Sequence, residues 1–332
     1  MSNSSKKEVN KMLADLQKVL DVFKERDIDR VYFVGCGGSS SLMYASKYVL
    51  DRESATIDSD LYSSNEFVHR NPRRLGEKSL VILCSHFGKT PETVEAARFA
   101  REKGAITVSL TFDQGSPLAE ASEYVIVYED GKEAKFVNES PAVMLELVFG
   151  LLAAKEANEK FSDVVSSLEN LDQILAQEKA KYLDQATEFA QSYKDEKVIY
   201  TMASGANYGT AYWFAICLLM EMQWIHSHAL HAGEYFHGPF EVLDQNVPVI
   251  QLLGLDETRP LEERSLEFTQ RYSERVVVLD AKDFDLTGVA ESVKGYIAPL
   301  VLQTILRQYA EELATARNHP LSTRRYMWKV PY

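Results

Sequence analysis

Short apolar runs alternate with amphipathic stretches along this chain, and the alternation occurs twice. Apolar runs of strand length that are separated by helical stretches predict βαβ units built around a parallel sheet. In the first half the predicted strands are 30–34, 55–58, 79–84, 105–110 and 124–128, and the predicted helices include 40–51 and 90–103. In the second half the predicted strands are 198–201, 247–253 and 275–279, and a closing helix is predicted at 296–316. The pattern therefore predicts an α/β fold with two doubly wound parallel sheets flanked by helices.

The order of these elements predicts five segments. They are an N-terminal helix (1–28), a first domain (29–160), linking helices (161–195), a second domain (196–316) and a C-terminal tail (317–332). The linking stretch is predicted to be helical because its apolar residues recur at helical spacing, with charged residues between them. With 332 residues and 45% hydrophobic content, the chain can bury a separate core in each domain.

The charge balance limits the classes of partner. The chain has 36 Lys and Arg against 49 Asp and Glu, a formal net charge of −13, so a nucleic-acid surface is not expected. One phosphate can still bind to backbone N–H groups at the start of a helix. The three cysteines lie within apolar runs, and their odd number favours free thiols in a reducing compartment. The sequence shows no membrane span and no signal peptide, so a cytoplasmic protein is predicted.

A glycine-rich turn follows the first predicted strand. Gly35, Gly37 and Gly38 allow the backbone to approach a ligand closely, and Ser39 adds a hydroxyl where the next helix begins. The first N–H groups of that helix favour an anion. A nucleotide-binding turn is a competing interpretation, although the third glycine of a dinucleotide fingerprint is missing. A purely structural tight turn also stays open.

A second hydroxyl-rich turn, 85–90, lies between the third predicted strand and the next helix. Ser85 and Thr90 supply hydroxyls, His86 supplies an imidazole, and Gly88 permits a tight backbone. Two such turns at the carboxyl ends of strands in one sheet converge on the crevice where doubly wound folds bind ligands, so a single phosphate is predicted there. An alternative role for Thr90 is to cap the helix that starts beside it.

The second half contains a carboxylate and an imidazole suited to acid/base chemistry. Glu221 lies inside an apolar helix, where burial raises the pKa of a carboxyl group and lets it exchange a proton near neutral pH. His237 follows in a loop, and a histidine side chain titrates near neutral pH. In the structural alternatives, Glu221 faces solvent or pairs with His226 or His228, and His237 only shapes the turn before Gly238.

A metal site is not predicted from the histidines that follow this helix. His226, His228 and His231 do not share one face of a helix, and no Asp or Cys lies beside them to complete a site. No cofactor is predicted either, because water and two side chains suffice for acid/base chemistry.

Together these strings resemble the sugar isomerase (SIS) domain family. The two hydroxyl turns are similar to the phosphate loops of that family, and nearly the whole chain resembles a tandem pair of its domains. Within the family, the strings 201–209, 231–243 and 254–259 are similar to those of the fructosamine deglycases, which act on 6-phosphorylated Amadori products. The resemblance implies a phosphate site formed by Gly37, Gly38, Ser39, Ser85, His86, Gly88 and Thr90.

The resemblance also implies a reaction and an assembly. The implied reaction is hydrolysis of a fructosyl amino acid 6-phosphate to glucose 6-phosphate and the free amino acid. Glu221 is implied to move a proton between C1 and C2, and His237 to open the sugar ring. Since this histidine comes from the neighbouring subunit in the resembling family, a homodimer with the site at its interface is expected. Glu234 is a candidate to orient His237, and Lys329 is a candidate for the tail lysine of related enzymes.

The chain departs from the isomerase domain of glucosamine-6-phosphate synthase at three places. Phe87 stands where that enzyme has a phosphate-binding serine, Leu218 stands where it has a lysine, and the spacing around Lys329 differs. These departures argue against amidotransfer. The alternative functions are a ketose/aldose phosphosugar isomerase and a non-catalytic sugar-phosphate sensor. The sequence leaves open whether the leaving amine is a lysine side chain or an α-amino acid.

Overall fold

The computed structural model of this protein describes residues 3–131 and 133–331. Four residues lie outside the described part of the chain: Met1, Ser2, Lys132 and Tyr332. The outermost residues of the predicted N-terminal helix and C-terminal tail are therefore not described. The chain forms two compact units, and the boundary between them lies between Asp172 and Gln173. This boundary falls inside the stretch predicted as linking helices, 161–195.

The first unit is built around a five-stranded parallel sheet with the strand order β2-β1-β3-β4-β5. Its strands are β1 (Arg30–Gly35), β2 (Asp58–Ser63), β3 (Ser79–Cys84), β4 (Ile106–Thr111) and β5 (Tyr124–Val127). Its helices are α1 (Asn3–Glu25), α2 (Gly38–Glu53), α3 (Ser64–Arg70), α4 (Pro91–Glu102), α5 (Pro117–Ala121), α6 (Ser140–Glu156) and α7 (Lys160–Glu169). The predicted parallel sheet with flanking helices is confirmed.

Alternating apolar residues place the core of the first unit on both faces of its sheet. Along β1, Tyr32 and Val34 point to one face and belong to the same apolar cluster as Phe67 of α3. Val31 and Phe33 point to the other face and are also fully buried. Burial on both faces explains why the inner strands of this sheet consist of nearly continuous apolar runs.

The second strand lies later in the chain than the sequence predicts. The apolar pattern predicts residues 55–58, whereas β2 runs from Asp58 to Ser63 and carries mostly polar, half-buried residues. β2 is an edge strand, and its Asp58 and Asp60 form ion pairs with Arg30 of β1 at 2.5 and 2.8 Å. An edge strand keeps part of its surface exposed, so its sequence lacks the apolar run on which the prediction depended.

The second unit is built around a four-stranded parallel sheet with the order β7-β6-β8-β9. Its strands are β6 (Val198–Ala203), β7 (His226–His231), β8 (Val249–Leu253) and β9 (Val276–Asp280). Its helices are α8 (Leu171–Lys181), which begins just before the boundary, α9 (Leu183–Tyr193), α10 (Tyr208–Trp213), α11 (Arg259–Tyr272) and α12 (Lys294–Ala316). A π-helical segment, Phe214–Met222, continues α10. This strand order repeats that of the first four strands of the first unit, and the predicted second parallel sheet is confirmed.

The sequence pattern does not predict strand β7. It indicates a helix and a following loop in this stretch, whereas the structure forms an edge strand that pairs in parallel with β6. His226 and His228 are exposed on this strand, while Ala229 and Leu230 are buried. Because polar residues replace the apolar alternation at this sheet edge, the pattern contains no clear strand signal.

Two further expectations concern membrane-spanning helices and the state of the cysteines. Among the helices of the described residues, none is both long and apolar enough to cross a bilayer. The predicted free thiols are confirmed, since Cys84 and Cys217 are buried and unpaired and Cys36 is half-buried and unpaired.

Candidate functional site

Both predicted phosphate turns leave neighbouring strands of the first sheet. β1 and β3 pair in parallel with Gly35 opposite Cys84, so the turns 36–39 and 85–90 begin side by side at the carboxyl edge. In the order β2-β1-β3-β4-β5, the direction in which the chain adds strands reverses between β1 and β3. Doubly wound folds bind ligands at such a switch point. The structure therefore brings the two turns to the edge where the sequence predicts one phosphate.

The first turn exposes backbone at the start of α2. Gly37 has a φ of 54°, in the left-handed region that favours glycine, and both Gly37 and Gly38 are exposed. Since α2 begins at Gly38, its first N–H groups have no acceptor within the helix. Burial raises the pKa of the Cys84 thiol to about 11, and the Ser39 hydroxyl beside this thiol opposes the rise. This turn therefore offers an anion its backbone N–H groups more readily than the Ser39 side chain.

The second turn holds two hydroxyls together. Ser85 Oγ and Thr90 Oγ1 lie 2.9 Å apart and are hydrogen-bonded. Thr90 occupies the position before α4, but its side chain makes no capping hydrogen bond, so its hydroxyl serves the turn rather than the helix. Gly88 has a φ of 61°, and a Cβ added there would lie 2.1 Å from Ser116 Oγ. The tight path of this turn therefore requires glycine.

His86 is directed at side chains beyond the end of β5. Its Nδ1 lies 2.9 Å from the Tyr128 hydroxyl, and its Nε2 lies 3.6 Å from Asp130 Oδ2. The imidazole also stacks on the Phe112 ring, with centroids 5.3 Å apart and an interplanar angle of 15°. A role for His86 in phosphate binding stays a prediction, because both ring nitrogens face other side chains in this structure.

Three residues that the sequence analysis does not select are connected to the second turn. Burial raises the pKa of the Tyr128 hydroxyl, which contacts His86, and the side chain of Ser140 at the start of α6 opposes this rise. Glu139 comes just before Ser140, and its burial, with the nearby charges of Asp130 and Asp172, raises its pKa to about 7. Tyr128 and Glu139 lie between β5 and α6, and Ser140 is the first residue of α6. They form no glycine-rich turn, so no motif in the sequence indicates them.

In the second unit, Glu221 lies near the end of the π-helical segment and pairs with Arg324. Glu221 Oε1 and Arg324 Nη2 are 2.7 Å apart, and the two side chains are 23% and 9% exposed. Burial raises the pKa of Glu221, and the positive charge of Arg324 opposes that rise. The Glu221 carboxylate thus pairs with an arginine. One alternative from the sequence, pairing with His226 or His228, is not what the structure shows.

A cleft of about 580 Å³ opens beside Glu221. This volume is in the range of roughly 300–1,000 Å³ that is usual for small-molecule sites. Acidic, basic, apolar and aromatic side chains line it: Met220, Glu221, Trp224, Ile225, His226, Arg324, Arg325, Tyr326 and Met327. The mixture is suited to a polar ligand with a charged group.

The C-terminal tail supplies one wall of this cleft. The Arg324 Nη1 group donates hydrogen bonds to the carbonyl oxygens of Leu321 and Thr323 at 2.8 and 2.9 Å, which fixes the guanidinium. Lys329 is exposed, and its ammonium donates to the Arg324 carbonyl oxygen at 2.5 Å. Arg324 is therefore the tail cation that contacts Glu221. Sequence reasoning missed it because the tail has neither apolar periodicity nor a recognised motif.

Glu221 and His237 flank opposite ends of strand β7 in the second sheet. The π-helical segment ends at Met222, before the start of β7, whereas His237 follows the end of β7 at His231. The six residues of β7 span roughly 20 Å at about 3.3 Å per residue. His237 and Glu234 are exposed, and the His237 N–H donates to the Glu234 carbonyl oxygen at 2.9 Å in a turn. One chain therefore does not bring the two predicted catalytic groups together.

The three histidines of β7 do not converge on one point. His226 and His228 share one face of the strand, whereas the His231 Nδ1 accepts the Gly233 N–H at 3.1 Å. In the part of the chain that the structure describes, no group of three His, Cys, Asp or Glu side chains is arranged to hold a metal ion.

The switch point of the second sheet, between β6 and β8, is occupied by the chain's own carboxylates. Glu262 accepts the Ser204 N–H at 2.9 Å and the Gly254 N–H at 2.6 Å, and Asp256 accepts the Ala206 N–H at 3.1 Å. Glu262 is fully buried, and its burial raises its pKa to about 7. Three backbone N–H groups at this end of the second sheet, those of Ser204, Gly254 and Ala206, are therefore already bound to carboxylates.

Comparison with known proteins relates this chain to one family. The profile of the SIS domain matches residues 26–151. A fructosamine deglycase of Bacillus subtilis is 58% identical over 322 residues, which cover 97% of this chain and 98% of the relative. A fructoselysine 6-phosphate deglycase of Escherichia coli is 28% identical over 326 residues, which cover 96% and 92%. The crystal structure of a candidate phosphosugar isomerase from Bacillus subtilis superimposes with a TM-score of 0.95 at 58% identity, covering 96% of this chain and 97% of the other. The similarity therefore extends over nearly the whole chain.

Proposed function

This chain belongs to the SIS-domain family of fructosamine deglycases, and from this premise we propose that it hydrolyses a fructosyl amino acid 6-phosphate to glucose 6-phosphate and a free amino acid. The observation that carries the proposal is the 58% identity with a fructosamine deglycase over 97% of the chain. Glu221 supports it as well, because a largely buried carboxylate beside a cleft provides the acid/base group that the reaction needs.

The phosphate of the substrate binds, in this proposal, at the carboxyl edge between β1 and β3. The exposed N–H groups of Gly37 and Gly38 and the hydroxyls of Ser85 and Thr90 are its ligands. Backbone N–H groups at the start of a helix favour an anion through their partial positive charge. A chain with a net charge of −13 can therefore hold one phosphate without a basic surface.

Glu221 moves a proton between two carbons of the sugar. Its carboxylate removes the proton from C1 of the ketosamine while the carbonyl oxygen at C2 takes a proton from solvent, which gives an enaminol. The carboxyl group then returns its proton to C2, and the nitrogen releases its own proton to solvent. The product is the imine of the aldose, to which water adds at C1 before the amine leaves. Burial raises the pKa of Glu221 and so makes it a stronger base, while Arg324 favours the ionised form that accepts the proton.

His237 opens the sugar ring and is supplied by a second copy of the chain. In one chain, Glu221 and His237 are separated by the length of β7, so a site that contains both requires two chains. A homodimer with two equivalent shared sites meets this requirement through its twofold symmetry.

A phosphosugar isomerase is the second candidate. The observation that favours it is the name of the similar crystal structure, which describes a candidate phosphosugar isomerase. An isomerase would use the same proton transfer between C1 and C2 but would keep every atom of its substrate. Product analysis therefore distinguishes the two functions.

Incubation of the protein with fructosylglycine 6-phosphate is expected to release glucose 6-phosphate and glycine in equal amounts. The reason is that hydrolysis of the imine separates the sugar from the amine. A coupled glucose-6-phosphate dehydrogenase assay and chromatography of free glycine measure the two products. Fructose 6-phosphate, which has no amine, is the control substrate. Its conversion to glucose 6-phosphate, with no glycine released from the ketosamine, would support the isomerase instead.

Replacing Arg324 by Met is expected to move the acidic limb of the pH profile of kcat/KM to higher pH. Burial raises the pKa of Glu221 and Arg324 opposes this rise, so loss of the arginine raises the pKa further. The base form of Glu221 is then lost at a higher pH as the solution is acidified. Arg307, a more exposed residue of α12 that pairs with Glu311, provides the control in Arg307→Met. An acidic limb that stays in place in Arg324→Met would contradict the proposed role of the pair.

A further inference from the structure

The cleft beside Glu221 contains a second arginine that the ion pair with Glu221 does not use. Arg325 is exposed, lines the cleft, and places its guanidinium carbon 4.2 Å from the centre of the Trp224 ring. Among the described residues, Arg325 forms no ion pair, whereas its neighbour Arg324 is bound to Glu221. Arg325 is therefore a cation whose hydrogen-bond donors are available to a ligand.

The surroundings of Trp224 hold this arginine in place. The indole contacts the His319 ring edge-on, with centroids 4.6 Å apart, and so lies between two parts of the chain's C-terminal stretch. Trp224 has a φ of 57°, a left-handed conformation that is uncommon for a bulky side chain and costs free energy. A guanidinium that stacks on an aromatic face keeps its planar edge free, and that edge matches a carboxylate in two parallel hydrogen bonds.

The charges that line the cleft favour an anion. The carboxylate of Glu221 is compensated by Arg324 at 2.7 Å. Arg325 then leaves the cleft with a positive charge next to a polar, partly aromatic wall. An anionic group on the ligand would pair with this charge, whereas a second cation would be repelled by it.

We propose that Arg325, stacked on Trp224, binds a carboxylate on the amine part of the substrate. The inference rests on the proposed function and deepens it, because it assigns the substrate class as 6-phosphorylated Amadori products of α-amino acids. Glu221 acts at C1, to which the nitrogen is bonded. In an α-linked amino acid, the carboxylate is attached to the carbon next to that nitrogen, so it remains in the cleft that Glu221 lines. In a lysine linked through its side chain, a butyl chain separates the carboxylate from that carbon.

The test compares two substrates that differ in one group: fructosylglycine 6-phosphate and its carboxamide, fructosylglycinamide 6-phosphate. The native protein is expected to prefer the carboxylate by about 10–100-fold in kcat/KM, as a charge-assisted bidentate contact would provide. Arg325→Gln is expected to reduce this preference to about one, and Arg325→Lys to keep part of it, because lysine retains the charge but not the planar fork. Arg271→Gln, at an exposed arginine of α11 that pairs with Glu267, is the matched control and should keep the full preference.

A preference that persists in Arg325→Gln, or that is missing in the native protein, would overturn the inference. The failure of the proposed function has a different signature, namely that neither substrate releases glucose 6-phosphate. Calorimetry with the inactive Glu221→Gln protein separates the two cases, since it measures binding of both ketosamine phosphates without turnover. Tighter binding of the carboxylate that disappears in the double variant Glu221→Gln/Arg325→Gln would support the carboxylate site. Equal binding of the two compounds by Glu221→Gln would overturn it.

Discussion

Replacement of Glu221 by Gln is expected to lower kcat by about 10²–10⁴-fold, the range that one general acid/base group contributes. The amide has nearly the size of the carboxylate but cannot accept the proton from C1. The phosphate contacts proposed at β1 and β3 do not involve this residue, so substrate binding should change little. Coupled release of glucose 6-phosphate measures the turnover, and calorimetry with the ketosamine phosphate measures the binding.

Glu267→Gln is the matched control for this substitution. Glu267 is an exposed glutamate of α11, 76% exposed, that pairs with Arg271, and its change to Gln should leave kcat at the native level. A Glu221→Gln protein that turns over substrate at the native rate would remove Glu221 from the mechanism. A loss of binding together with turnover would instead point to a role in holding the substrate.

Mixing two inactive variants, Glu221→Gln and His237→Asn, is expected to restore about a quarter of the native activity if subunits pair at random in a twofold dimer. In each mixed dimer, one of the two shared sites receives an intact Glu221 from one chain and an intact His237 from the other. The expectation follows from the positions of the two residues at opposite ends of strand β7 of one chain. Subunits are exchanged by dissociation and reassociation, and the specific activity of the mixture is then compared with that of each variant alone.

The double variant Glu221→Gln/His237→Asn, mixed with either single variant, is the control. No pairing in those mixtures produces a site with both intact groups, so their activity should stay at the background level. If the mixture of the two single variants also stays at that level after confirmed subunit exchange, a site shared between two chains is excluded.

The sequence predicts those parts of the fold that apolar residues determine. The inner strands β1, β3 and β4 are buried on both faces, so their sequences are continuous apolar runs, and their predicted and observed bounds nearly coincide. The edge strands β2 and β7 are half-exposed and rich in polar residues, and the prediction displaces the first and misses the second. Apolar periodicity indicates burial, and it weakens where a strand is covered on one side only.

The candidate site likewise has parts that the sequence predicts and parts that only the structure reveals. The turns at Gly37 and Gly88 are recognisable because their backbone conformations favour glycine, which leaves a mark in the sequence. The contact between Glu221 and Arg324 joins residues about a hundred positions apart, and the tail that contains the arginine follows no periodic pattern. Such a contact depends on the tertiary packing of the tail and is visible only in the structure.

The buried carboxylates at the second switch point affect how a titration with substrate is interpreted. Two units with the same strand order suggest two equivalents of ligand for each chain. Glu262 and Asp256 already accept three N–H groups at that end of the second sheet, so we expect full occupancy at one equivalent per chain. Two units of similar architecture therefore do not imply two bound substrates per chain. A substrate titration that ends at one equivalent per chain would indicate that every protein molecule in the preparation is active.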